Sequence, residues 1–144
     1  MDKKTRDNAT MMNGLYWWGV PTLFRCPYKP DPEGCDIALV GVPHSTGNGT
    51  TQRDQHLGPR AVRNISALGR RGHLKFGISP WEMCDIRDFG DVPLPEANNN
   101  EQCIERITEF YDVLADSGVR PVSIGGDHSI TGGILQAIAG PKSN

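Results

Sequence analysis

The sequence predicts an α/β fold in which a mostly parallel sheet carries helices on both sides. Three observations predict it. The run from Asp36 to Val42 is apolar after its first residue, the pattern of a parallel strand buried on both faces. Cys103, Ile104, Ile107, Phe110, Val113 and Leu114 recur at helical spacing. That helix leads straight into a second β-prone run at Pro121. Strand, crossover helix and next strand form a right-handed unit, which places both runs in one parallel sheet.

The elements follow in order. Residues 1–15 read as a flexible tail, and residues 16–144 as part of one domain, since 144 residues suit one core better than two. From Tyr16 to Tyr28 the chain is aromatic and punctuated by proline. It reads as an irregular arm packing its rings on the domain surface, with a subunit contact or an active-site rim as the alternative. Asp31-Pro32-Glu33-Gly34 is a turn before the first strand, which Pro43 closes. His44 to His56 then form a long polar loop at that strand's carboxyl end, where function concentrates.

Gly58-Pro59-Arg60 opens a helix, because proline loses nothing in a first turn. Ala61, Val62, Ile65 and Leu68 are expected on its inner face, with Gly69 as the stop. Arg60, Arg63, Arg70 and Arg71 read as its solvated side. Met83 to Phe89 reads as a strand ending in turn chemistry before Pro93. Asp85, Asp88 and Asp91 read as structural carboxylates that cap turns or pair with Arg87, because their spacing matches no calcium loop. Asn98 to Asn100 hold the cap of the strong helix, which runs to Asp116 and stops at Gly118. After the second apolar run, a last helix spans Ile130 to Ala139.

Composition narrows the function. A formal net charge of −2 supplies no basic face for nucleic acid or an anionic membrane. The apolar stretch Gly14 to Phe24 is broken by Gly19 and Pro21 and is too short to span a bilayer. The cysteines Cys26, Cys35, Cys84 and Cys103 form no C-x-x-C pair. They read as reduced thiols of a cytoplasmic protein, with Cys84 and Cys103 buried. The loop Gly47 to Thr51 lacks the phosphate-cradling G-x-x-x-x-G-K-[ST] pattern, which makes nucleotide binding the weakest reading.

The candidate site is the turn after the second strand: Gly125-Gly126-Asp127-His128-Ser129. Two glycines let the backbone turn sharply and leave room for an approaching group. His128 then stands at the carboxyl end of a buried strand, where α/β proteins place their chemistry. It is the candidate metal ligand, whereas His44, His56 and His73 read as satisfied core or surface residues. Asp127 has three readings: a ligand, an acceptor for the N–H of a metal-bound imidazole, or a helix cap, the last being the default.

The run Gly125 to Thr131 resembles the first metal motif of the ureohydrolases, the family of arginase, agmatinase and guanidino-acid hydrolases. Three more segments agree in order. Gly19 to Arg25 with Pro27 is similar to the N-terminal arm of the agmatinase branch; Gly41-Val42-Pro43 and Gly58 to Arg63 resemble the family's first strand and helix; Asp88 to Val92 resembles its D-x-G-D-V segment. The resemblance implies a three-layer α/β/α fold, incomplete in this chain, and a binuclear manganese centre with His128 as a terminal ligand. It also implies hydrolysis of a guanidino compound to an amine and urea, and a homo-oligomer at full length. Nickel is the alternative metal, and agmatine or a guanidino acid the substrate. The family's D-A-H-x-D and S-x-D-x-D-x-x-D-P motifs do not occur here. The expectation is therefore an amino-terminal portion, inactive alone, with a non-catalytic interaction fragment as the competing reading.

Overall fold

The computed structural model describes residues 19–47, 54–69 and 72–140, so the expected tail lies outside the described residues. Three strands form one parallel sheet: β1 (Ile37–Val42), β2 (Ile86–Asp91) and β3 (Arg120–Gly125), in the order β2-β1-β3. Four helices join them: α1 (Gly58–Ser66), the single turn α2 (Pro80–Met83), α3 (Asn100–Asp116) and α4 (Ile130–Ala139). β1 is central and buried along almost its whole length, as its uninterrupted apolar run requires.

Each face of the sheet has its own core. On one side Ala38, Val40, Val42 and Phe89 pack with Ile107, Tyr111 and Leu114 of α3 and Ile130 and Ala137 of α4. On the other, Leu39 and Ile86 pack with Leu23 and Cys26 of the arm, and with Val62 and Trp81. Fully burying one such side chain contributes roughly 1.5–3 kcal/mol, so the two layers on the central sheet hold it from both sides. The three-layer arrangement expected from the sequence is present in this portion.

Several boundaries and faces differ from the expectation. The second strand begins at Ile86, three residues late, because Pro80 starts a helical turn that includes Met83. The aromatic arm does pack on the domain: Phe24 lies 5.9 Å from Trp81, while Pro27 and Lys29 hydrogen-bond to Asp88 along the outer edge of β2. On α3, Asn99 caps Gln102 N at 3.1 Å and Gly118 takes φ +73° just after the end, both as expected. Its buried stripe, however, runs through Tyr111 rather than the exposed Val113. Cys103 is fully buried, Cys84 only partly, and none of the four cysteines forms a disulfide.

The largest correction falls on α1. Ile65 and Leu68 are 65% and 59% exposed, while Pro59 and Ser66 are buried and Val62 and Arg63 half-buried. Arg63 is not on a solvated face. Its guanidinium reaches Asp88 through Nε and Nη2, both at 3.1 Å, and Asp91 through Nη1 at 2.6 Å. Ser66 Oγ accepts from Phe24 N at 3.0 Å. A polar anchor thus outcompetes two apolar side chains for the inner position. No described helix is long and apolar enough to cross a membrane.

Candidate active site at the carboxyl end of the sheet

The turn after β3 is built against the segment after β1. Gly126 has φ +60°, and a Cβ there would collide with the main-chain oxygens of Val42 and His44, so only glycine serves. Asp127 N donates to His44 O at 2.9 Å, and Gly126 N to Gln55 O at 3.4 Å. The start of α1 closes in as well, since a side chain at Gly58 would strike Gly125 O. Three pieces of chain therefore meet at this turn: the end of β3, the segment after β1, and the stretch Gln55 to Gly58.

Asp127 is buried, and its carboxylate accepts hydrogen bonds both from its own turn and from the segment after β1. Oδ2 accepts from Gly47 N at 2.8 Å; Oδ1 accepts from Ser129 N at 2.9 Å and Ser129 Oγ at 2.5 Å. Burial opposes its charge, but the bonds from Ser129 and Gly47 prevail and hold the carboxyl below its usual range. The carboxylate closes the turn itself rather than capping the helix, whose cap position is Ser129, and it also tethers the loop after β1. Ser129 occupies the cap position of α4 but its side chain makes no cap bond to that helix.

His128 is exposed, and its ring has no hydrogen-bond partner among the described residues. It is not buried among aliphatic groups. Against a divalent cation, the described residues supply this one free imidazole, and among them no three or more His, Cys, Asp or Glu side chains converge. A catalytic metal takes about three protein ligands. His128 thus fits as one ligand, and the described residues do not compose a whole centre.

The other candidates fall as follows. Asp85 pairs with Arg87 at 2.7 Å, and Asp88 and Asp91 with Arg63, so all three are structural. Arg87 also donates to the carbonyls of Asp31 and Glu33, fastening the first turn. His73 stacks on Phe76 with ring centroids 4.5 Å apart. His56 Nδ1 lies 3.2 Å from Ser45 Oγ at the surface near the site. Of the Gly47–Thr51 loop only Gly47 is among the described residues, and it is bound to Asp127.

Sequence reasoning treated His44 as one satisfied histidine among several and missed its position. It is 2% exposed; Nε2 lies 2.8 Å from Asn100 Oδ1, which accepts its proton, and Nδ1 lies 3.3 Å from Thr46 Oγ1. The available signal was its place two residues beyond a fully apolar strand, at the carboxyl end where sites form.

The fold and this turn define a class: a layered α/β scaffold with a parallel sheet and an imidazole on the turn beyond the carboxyl end of β3. Comparison with known proteins names it. The arginase family model matches residues 35–143, and the chain belongs to the arginase family. A mitochondrial agmatinase of Gallus gallus is 39% identical over 121 residues, which cover 84% of this chain and 35% of the relative. A guanidinopropionase of Pseudomonas aeruginosa is 36% identical over 120 residues, covering 83% and 37%. The structure of proclavaminate amidinohydrolase from Streptomyces clavuligerus superposes with a TM-score of 0.80 at 29% identity, covering 88% of this chain and 42% of that one. A formiminoglutamase from Trypanosoma cruzi, determined with manganese, shares the fold at a TM-score of 0.62 and 21% identity, covering 83% and 41%. The chain spans well under half the length of these relatives.

Proposed function

We propose that this chain is the His128-bearing part of a metal-dependent ureohydrolase whose full-length form hydrolyses a guanidino compound to an amine and urea. Agmatine and the guanidino acids are the substrate class, in keeping with relatives named agmatinase and guanidinopropionase. The observation that carries this reading is the exposed imidazole of His128, with no hydrogen-bond partner among the described residues, on a turn fixed from both sides by Asp127. His128 would hold one ion of a manganese centre, with nickel as the alternative. The chemistry such a metal would supply is a lowered pKa for a water that attacks the guanidinium carbon. Within the chain, Asp127 keeps the turn closed, and Gly126 lets it lie against β1.

On this reading the 144-residue chain is inactive by itself, because among the described residues no three metal-binding side chains converge, where a catalytic metal takes about three. The test is a colorimetric urea assay on the purified chain with manganese, using agmatine, guanidinopropionate, guanidinobutyrate and arginine in turn. No urea is expected, and any turnover that vanishes in H128N would overturn the inactivity. Manganese titration should broaden the His128 ring-proton resonances; unaltered resonances at millimolar metal would remove the ligand assignment.

A second reading, a non-catalytic fragment that associates with intact subunits, is favoured by one observation. β3 is an edge strand of the sheet, and Val122 on it is 48% exposed. Co-purification of the tagged chain with a full-length ureohydrolase tests it, and separate elution would exclude it.

A further inference from the structure

Between α1 and α2 the chain makes a small hairpin that leaves its apolar side chains in solvent. His73 N donates to Ile78 O at 2.8 Å and Gly77 N to His73 O at 2.9 Å, with Gly77 at φ +61° in the turn. The His73 ring stacks on Phe76, and the Lys75 ammonium lies 5.8 Å from the Phe76 centroid. Leu74 is nonetheless 78% exposed, Phe76 65% and Ile78 47%. A tip already held by its own hydrogen bonds gives up little freedom on docking, and large apolar side chains grouped in solvent mark a contact surface. Lys75 adds a positive charge that has no ion pair among the described residues.

A complementary surface lies between α3 and α4. Ile104, Glu105, Thr108, Glu109 and Gln136 line an open groove of about 250 Å³. A drug-sized ligand takes roughly 300–1,000 Å³, so this groove suits a side chain or two better than a small molecule. Ile104 and Thr108 are its half-buried part, while Glu105 and Glu109 are exposed one turn apart on α3. Glu105 has no ion pair among the described residues, and Glu109 meets only the surface Arg106, at 3.3 Å. Like charges at this spacing repel, and a cation placed between them relieves the repulsion.

We propose that the 73–78 hairpin of one copy of this chain seats in the α3–α4 groove of a second copy, with Phe76 against Ile104 and Thr108 and the Lys75 ammonium between Glu105 and Glu109. Charge complementarity selects this occupant, because one chain carries both halves of the contact. Hairpin against hairpin would oppose Lys75 with Lys75, and groove against groove would oppose glutamates with glutamates, so neither self-pairing is favoured. The contact is therefore head-to-tail, which builds rings or open chains rather than a two-fold pair. It uses neither the edge of β3 nor the His128 turn, and so stands apart from the catalytic reading.

The experiment mixes equal amounts of the 144-residue chain in ordinary and 15N-labelled form and treats the soluble protein with a carbodiimide, which joins an amine to a carboxylate in direct contact. Mass spectrometry is expected to find Lys75 linked to Glu105 or Glu109, with mixed-label and same-label products equally abundant. The yield should fall severalfold between about 0.1 M and 1 M salt, as the Debye length drops from about 10 Å to 3 Å. Charge reversal supplies the second arm, at exposed positions where folding is not at stake. K75E alone and E105K/E109K alone should each give no link between these positions, and mixing the two variants should restore it, now running from position 75 of one chain to position 105 or 109 of the other. Three results would overturn the proposal: no such link in the wild type or in the mixed variants, links confined to same-label products, or links from the exposed Lys29 to the same glutamates at equal yield, which would mark random encounter.

Discussion

Arg60 and Arg63 lie three residues apart on α1 and read alike in the sequence, yet they carry different weights. Arg60 is exposed, whereas the Arg63 side chain is 12% exposed beside an Asp88 that is 1% exposed. Removing one partner of a buried pair strands the other charge, at a cost of about 3–5 kcal/mol. Asp88 keeps the amides of Leu23 and Gly90, both at 2.8 Å, so R63M should sit at the lower end, about 3 kcal/mol. R60A should change stability by less than about 0.5 kcal/mol in the same urea titration. Tyr111 supplies a pH-dependent case. Burial pushes its phenol up from 10 to about 12, against a smaller opposing effect of its 2.6 Å hydrogen bond with Ser123. An acid raised in the folded state contributes fully below its unfolded value, and the contribution disappears as pH climbs from 10 to about 12. Relative to Y111F, the wild type should lose roughly 2–3 kcal/mol of unfolding free energy across that window. Equal slopes for the two proteins would refute it. Neither residue was legible beforehand: a charge on a helix is usually solvated, and Tyr111 falls one position after the apolar Phe110 that the spacing favoured.

At the scale of elements, the readable parts were those in which one local rule had no competitor. β1 showed itself by a continuous apolar run, and α3 by its Asn99 cap and its stop at Gly118. α1 failed that test because its inner face is chosen by partners 25 and 42 residues distant in sequence, Asp88 and Phe24. The contact between α3 and α4 depends on a similar long-range fact. A Cβ at Gly133 would lie 3.0 Å from Ile104 O and 3.1 Å from Thr108 Oγ1, whereas one at Gly132 would meet nothing within 4 Å. The backbone oxygen of a packed helix yields little, so G133V should destabilise by about 1–3 kcal/mol through overpacking. G132A relieves a flexible residue in an exposed helical position and should stabilise by roughly 0.5–1 kcal/mol. Thermal unfolding of the two variants decides the matter, and equal midpoints would mean that the helices are not in close contact at Gly133.

For the whole molecule, the sheet's two edges are unequal. The outer edge of β2 is covered by the arm, through the hydrogen bonds of Pro27 and Lys29 with Asp88. The outer edge of β3 has no neighbouring strand among the described residues and exposes Val122, at 48%, between Pro121 and Ser123. An exposed apolar edge is a template for pairing with another chain, and natural sheets blunt such edges with charge, lysine above all. The sequence pattern could announce that β3 is a strand, but not that it would be the last in the sheet, since both kinds read as a short β-prone run. The isolated chain should therefore aggregate through β3. V122K should lower light scattering at equal concentration while shifting the unfolding midpoint by no more than a surface substitution does, about 0.5 kcal/mol. The same variant discriminates further. If the chain joins intact subunits by adding strand to strand, V122K should abolish co-purification along with aggregation. If it leaves co-purification untouched while scattering falls, association uses another surface, such as the exposed Ile65 of α1 and Leu68 just beyond it.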